Sequence, residues 1–301
     1  MYWYNSTFRT PSFKCKDMRK IHFYTLLFCI TITNYACNLY NYNADDSEER
    51  LVINAILYPD SLSMHLSKTA SATDEVIFKE EKLLINNATV VFKDISSGKE
   101  YDLVSTGKGR YVMKEKFVAI PNHVYVIKVL ANGFSDAISE EVIMPQKPIV
   151  FYKNIKDAKP LFQNDEEKAV TIDFTLSDEM NTKNHYNIRS FSVAIFEEYL
   201  PNIKLSEGCE LLPSIGGTFS DKCFADDKLL IDCLLQYPKG NEYIEISFNG
   251  ISQSLYKYYQ NRDKAEGLEA AFVEPNINYS NIKNGYGVFV AINSKKFKIK
   301  I

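Results

Sequence analysis

The chain of 301 residues carries 35 Lys+Arg against 38 Asp+Glu, is 46% apolar, and holds only 12 Gly and 10 Pro. It is too apolar for a disordered chain and too poor in Gly and Pro for a fibrous one. The near balance of charge excludes the global basic field of a nucleic-acid binder, and the length allows one large or two modest domains with a proper core.

The first 36 residues read as an address rather than a fold. Arg19 and Lys20 precede an apolar run from Ile21 to Thr33, followed by Asn34-Tyr35-Ala36-Cys37. A charged segment, a short apolar stretch and a small residue before the cut form the secretory pattern. The run is short for a membrane span, which takes roughly 20 apolar residues. Met18 is a candidate start, which makes Cys37 the twentieth residue. Ala36-Cys37 resembles a bacterial lipobox, in which cleavage exposes a cysteine whose sulfur takes a diacylglycerol, so Cys37 is the expected lipidation site. Asn34 stands where a lipobox has Leu. Each buried methylene contributes about 0.8 kcal/mol, so several acyl chains anchor a protein durably.

Residues 1–36 hold five cations (Arg9, Lys14, Lys16, Arg19, Lys20) and one anion, Asp17. Removing that surplus of four positive charges takes the net charge from −3 to −7. Residues 37–50, with Asp45, Asp46, Glu48 and Glu49 and no apolar period, read as an acidic tether.

From Leu51 the pattern is that of strands. Leu51–Leu57, Met64–Lys68, Ala88–Lys93, Tyr101–Val104, Arg110–Met113, His123–Val129 and Glu140–Ile143 are short runs with turn signals between them. This spacing argues a β-sandwich over residues 51–147, and Asn87–Pro145 resembles an immunoglobulin-like or prealbumin-like module. Pro121-Asn122 leading into Tyr125 fits a tyrosine that bonds across a turn. Pro145, Pro148, Pro160 and the polar stretch 163–168 mark a boundary, so 148–301 is expected to be a second β-rich domain. Its strands are Ala169–Leu176, Tyr186–Phe196, Lys228–Leu235, Tyr243–Phe248 and Val288–Ile292. One helix is expected over Ile251–Ala265, where Ile251, Leu255, Tyr258 and Tyr259 share a face and Gly267 supplies a stop. The expected fold class is therefore mainly β, a sandwich followed by a second β-rich domain with one short C-terminal helix.

Candidate chemistry is sparse. His65, His123 and His185 stand singly and read as strand-surface residues rather than metal ligands. Cys209, Cys223 and Cys233 remain after the leader and Cys37, which allows one disulfide and leaves all three pairings open. Gly250-Ile251-Ser252-Gln253-Ser254 begins like a nucleophile elbow but lacks the final Gly, and its serines suit helix N-capping. Asp173, Asp178, Glu179, Asp226 and Asp227 suggest a glycosidase pair, against the commoner reading of solvated carboxylates. Tyr256, Tyr258, Tyr259, Phe272, Tyr279 and Tyr286 form an aromatic group suited to sugar binding or to core packing. No metal site and no cofactor is expected.

The segment "SLYKYYQNRDKAEG…AFVEPNINYSNIKNGYGVFVA" resembles the end of the domain of unknown function 4249 (DUF4249) family, lipoprotein-type sequences of Bacteroidota. The matching positions are Phe272, Glu274, Pro275, Ser280, Asn281, Ile282, Gly285 and Gly287. "LVINAILYPD", "GKGRYV" and "GTFSDKCFADDKLLI" also look like the family. The resemblance implies an outer-membrane lipoprotein of the cell envelope, held by its acyl chains and often encoded beside a TonB-dependent receptor. It carries no catalytic residues. The motif around Asn281 is expected to be structural, with Asn281 capping a turn and the glycines admitting backbone. The functional expectation is a non-enzymatic accessory of a nutrient-uptake receptor, with no nucleic-acid partner. A glycan-binding adhesion module and an uncharacterised hydrolase are the alternatives.

Overall fold

The computed structural model describes residues 49–70, 80–160, 167–178, 183–192, 197–199, 202–205, 209, 211–212, 217–224, 228–238, 240, 242–265 and 279–300. Cys37, Glu179, Asp226, Asp227, Phe272, Glu274 and Pro275 lie outside the described residues.

The first half runs β1 (Leu51–Leu57), β2 (Leu62–Lys68), β3 (Thr89–Asp94), β4 (Glu100–Gly107), β5 (Arg110–Met113), β6 (Val124–Leu130), β7 (Ala137–Ser139) and β8 (Val142–Ile143). The second runs β9 (Ile149–Ala158), β10 (Glu167–Ser177), β11 (His185–Ser192), β12 (Glu197–Tyr199), β13 (Asn202–Lys204), β14 (Thr218–Ser220), β15 (Lys228–Pro238), β16 (Tyr243–Ile251), α1 (Gln253–Ala265), β17 (Ile282–Lys283) and β18 (Gly285–Lys300). The architecture is mainly β and sandwich-like, with a single α-helix among the described residues.

Alternation of apolar and polar residues makes these strands, because successive side chains leave opposite faces. In β1, Leu51, Ile53, Ala55 and Leu57 are buried while the residues between them are more exposed. Fourteen of the described strands form one large curled sheet in the order β12-β11-β16-β18-β1-β2-β5-β4-β3-β6-β7-β17, with β14 beside β11 and β8 beside β6. A second sheet has the order β13-β15-β10-β9. Two main hydrophobic clusters result. One gathers residues of β1–β8 with Ile282, Phe289 and Ala291; the other gathers Val150, β10, β11, β15 and β16 with Ile299.

Strand β18 serves both clusters. Its first half, from Gly285 to Ala291, pairs in parallel with β1, and its second half, from Ile292 to Lys300, pairs antiparallel with β16. Residue 147, where a boundary is expected, lies between β8 and β9, and β18 pairs with strands from both sides of it.

The turn residues read from sequence have physical roles here. Ile120 N–H donates to Tyr125 Oη at 2.8 Å across the turn that contains Asn122 at φ 66°. In the hairpin between β17 and β18, Asn284 has φ 59° and its Nδ2 donates to Asp136 O at 3.0 Å. Gly287 has φ +103°, and a Cβ there would meet Ile53 O at 2.0 Å. Only glycine lets β18 lie this close to β1.

Asn281 corrects one expectation. Rather than capping a turn, its buried carboxamide acts as a peptide group beside β18: Nδ2 donates to Phe289 O and Oδ1 accepts from Phe289 N–H, both at 2.8 Å. Its own carbonyl accepts from Glu140 N–H at 2.7 Å. Ile282 is buried in the first cluster, and Ser280 Oγ accepts from Ile282 N–H at 3.3 Å. Gly285 faces Leu51 O, which a Cβ would approach to 2.8 Å. The described part of the motif is therefore a device for seating β18.

Candidate functional site

The junction of β16 with α1 forms one wall of a cleft. Ser252 Oγ accepts from Leu255 N–H at 3.4 Å and from Ala291 N–H at 3.0 Å. It lies 2.9 Å from Ser254 Oγ, which donates to Phe289 O at 3.2 Å. Ser252 is thus an N-cap that also ties α1 to β18, as serine does at this position. One face of α1 packs inward: Leu255 buries with Ile251 of β16 and Val290 of β18, and Tyr256, Tyr258 and Tyr259 pack against that cluster. Arg189 Nη2 donates to Tyr259 Oη at 2.9 Å. Beneath the helix a ladder of polar side chains crosses the sheet, from Thr218 through Asn187 and Asn249 to Ser294.

The second wall is the β7–β8 segment, with Glu140, Glu141, Val142 and Ile143. The third is the start of β11, with Lys183, Asn184 and His185. Tyr279 and Asn122 complete a cavity of about 400 Å³. A smaller one of about 60 Å³ adjoins it, sharing Pro145, Asn184 and His185. The chain passing from the first half to the second closes one end. Pro145 O accepts from Asn293 Nδ2 at 3.0 Å, and a Cβ on Gly250 would meet Gln146 O at 2.5 Å.

The β11 wall is held from behind. Asn184 N–H donates to Asp221 Oδ2 at 3.0 Å, and Asn184 Nδ2 donates to Asp178 Oδ1 at 2.6 Å. Tyr186 Oη donates to the same Asp178 oxygen at 2.6 Å. Asp221 opens a short 3-10 turn that ends in Cys223, and Cys223 is joined to Cys209 by a disulfide. Cys233 is a buried free thiol; burial pushes its pKa well up, which keeps it protonated and unreactive.

His185 departs from the surface role expected of it. It is only 4% exposed, its ring lies 4.4 Å from that of Tyr256, and it faces both cavities. Burial is the main cause that lowers its pKa to about 4, so the imidazole is neutral near pH 7. Among the described residues nothing hydrogen-bonds its side chain. His123 is likewise not a free surface residue: its Nδ1 lies 2.9 Å from Oδ2 of the buried Asp94. Burial pushes the Asp94 carboxyl up, but hydrogen bonds from His123 and Ser97 outweigh it and leave the pKa lowered.

Of the carboxylate candidates, Glu179, Asp226 and Asp227 lie outside the described residues, and the two described ones, Asp173 and Asp178, are each already engaged. Asp173 is on the outer face of the small sheet, 3.4 Å from Lys156 Nζ. Asp178 is occupied by Asn184 and Tyr186. Among the described residues no group of three His, Cys, Asp or Glu is arranged to hold a metal. Tyr256, Tyr258 and Tyr259 are engaged in packing instead of standing in an exposed row, and Tyr286 lies under the Arg50 guanidinium at 5.7 Å. The cleft residues Glu140, Glu141, Lys183, His185, Lys257 and Tyr279 were not legible as a set. They come from segments far apart in the chain, and no local spacing joins them.

Fold and cleft define a β-sandwich-like protein with a polar cavity walled by three distant segments. Residues 38–298 match the model of the domain of unknown function DUF4249, and the chain belongs to that family. No curated protein matches the chain.

Proposed function

We propose that the protein is an envelope lipoprotein, anchored in the outer membrane through acyl chains on Cys37, that serves as a non-enzymatic accessory of a TonB-dependent receptor in nutrient uptake. The observation that carries this reading is positional. The apolar run 21–33 is followed within four residues by Ala36-Cys37, and the family match opens at residue 38, directly after that cysteine. The acidic stretch 37–50 separates that cysteine from the first strand at Leu51.

The cleft chemistry supports binding over turnover. The hydroxyls of Ser252 and Ser254 are committed to each other and to the backbone of β18. Nucleophilic catalysis wants a hydroxyl paired with an oriented base, and among the described residues no carboxylate is bonded to the neutral His185. Crosslinking in intact cells followed by purification tests the partnership. Recovery of an outer-membrane receptor with the wild-type chain, and its loss with Cys37→Ser, is expected; recovery of no barrel protein contradicts the reading.

A further inference from the structure

The cavity beside α1 carries unspent recognition chemistry of both signs. Glu140 and Glu141 stand on one wall; Lys183 and Lys257 stand on the others. Among the described residues none of these four is in a salt bridge. The four described charges sum to zero, and the two signs come from different segments, the carboxylates from β7–β8 and the ammonium groups from α1 and the residues before β11. Lys257 lies one turn along α1, whose N-terminus favours negative charge. The helix amides of Gln253 and Ser254 find no acceptor among the described residues. Glu140 and Glu141 come to the same cavity from the β7–β8 segment. Tyr279 stands near Glu140, and its hydroxyl pKa is raised first by burial and then by that charge.

The second, independent observation is His185. A buried imidazole without a hydrogen bond is costly to keep, because its donor and acceptor have given up water for nothing. It opens onto the cavity, where a ligand can supply the missing hydrogen-bond partner. A peptide backbone offers both kinds, an N–H and a C=O on each residue. The volume of about 400 Å³ lies in the range of small-ligand sites.

We propose that this cleft binds a short peptide with free ends. Its carboxylate sits at Lys257 and the open amides of α1, its ammonium at Glu140 and Glu141, and a peptide group at His185. The proposal rests on the reading of the protein as a binding module and names the ligand class of that module.

The test is calorimetric titration of the full chain in detergent with trialanine, N-acetyl-trialanine, trialanine amide and maltotriose. Trialanine is expected to bind, and blocking either end to weaken it about tenfold, the scale of one lost charge-assisted hydrogen bond. Two exposed-site variants assign the ends. Lys257→Gln is expected to erase the preference for trialanine over its amide. Glu140→Gln with Glu141→Gln is expected to erase the preference over the N-acetyl form. Absence of trialanine binding at millimolar concentration, equal binding of free and blocked forms, unchanged preferences in the variants, or binding of maltotriose alone each overturns the proposal. Failure here with Cys37 still acylated and the receptor still recovered sinks the ligand class and leaves the accessory role standing.

Discussion

The Asn281 carboxamide stands in for a missing strand neighbour beside Phe289. Asn281→Ala leaves the buried Phe289 N–H without its acceptor, which costs about 1–3 kcal/mol, and takes one of two donors from the Phe289 carbonyl, which keeps Ser254 Oγ. A loss on the order of 2 kcal/mol in urea unfolding is expected, and Asn281→Gln should recover little, because the longer side chain cannot keep both bonds in register. Gly287→Ala is expected to prevent folding, judged by loss of soluble protein, because Ile53 backbone occupies the place of the new methyl. Gly98→Ala is the control. It also has a positive φ, +74°, but open space around it, so about 1 kcal/mol of backbone strain is expected there. His185 gives a pH signature. Its native pKa of about 4 lies below the ordinary 6.5. The unfolded chain therefore takes up the proton first as pH falls. Its contribution is complete above about pH 6.5 and is lost progressively as pH drops toward 4. Chemical denaturation across that window should show wild type losing on the order of 2 kcal/mol more than His185→Gln.

Among the elements, those with strict alternation were plain from sequence. Ala169–Leu176 is within β10, Lys228–Leu235 within β15, and the turn at Gly107-Lys108-Gly109 joins β4 to β5. The expected helix begins two residues late, at Gln253, because Ile251 still pairs with Ile292 at the end of β16. Strand β9 was missed. Pro148 and Pro160 flank it and read as a linker, and its position at a sheet edge leaves most of its residues exposed, so the usual alternation is absent. The second half of β18 was missed for a similar reason: Lys295, Lys296 and Lys298 mask its apolar face. The disulfide could not be read from three cysteines, since pairing depends on which strands meet. It closes a loop of 14 residues and pins the turn whose Asp221 holds Asn184. Cys209→Ser with Cys223→Ser is expected to cost about 3 kcal/mol on the chain-entropy account. It should also weaken any ligand bound in the cleft, measured by the same titration.

For the whole molecule, the parallel pairing of β1 with β18 decides how the halves behave. The sequence shows two apolar strands but nothing that brings residue 51 beside residue 285. That closure is a long-range event set by packing. Because β18 supplies Phe289 and Ala291 to one cluster and Ile299 to the other, neither half is complete without it. A single unfolding transition is expected, with near-ultraviolet and far-ultraviolet dichroism coinciding; two separated transitions would mean the halves are independent. The same distance in sequence hid the cleft, whose walls meet only when β7–β8, β11 and α1 are assembled. By contrast, the proposed anchor rests on local sequence alone: an apolar run, a small residue and Cys37 lie within a few positions of one another. The most direct test of that account is mass spectrometry of the amino-terminal peptide of the protein extracted from its own membranes. The expected result is a chain that starts at Cys37 and carries a diacylglyceryl group with a further acyl chain. An intact, unmodified peptide that spans residues 19–50 would contradict it.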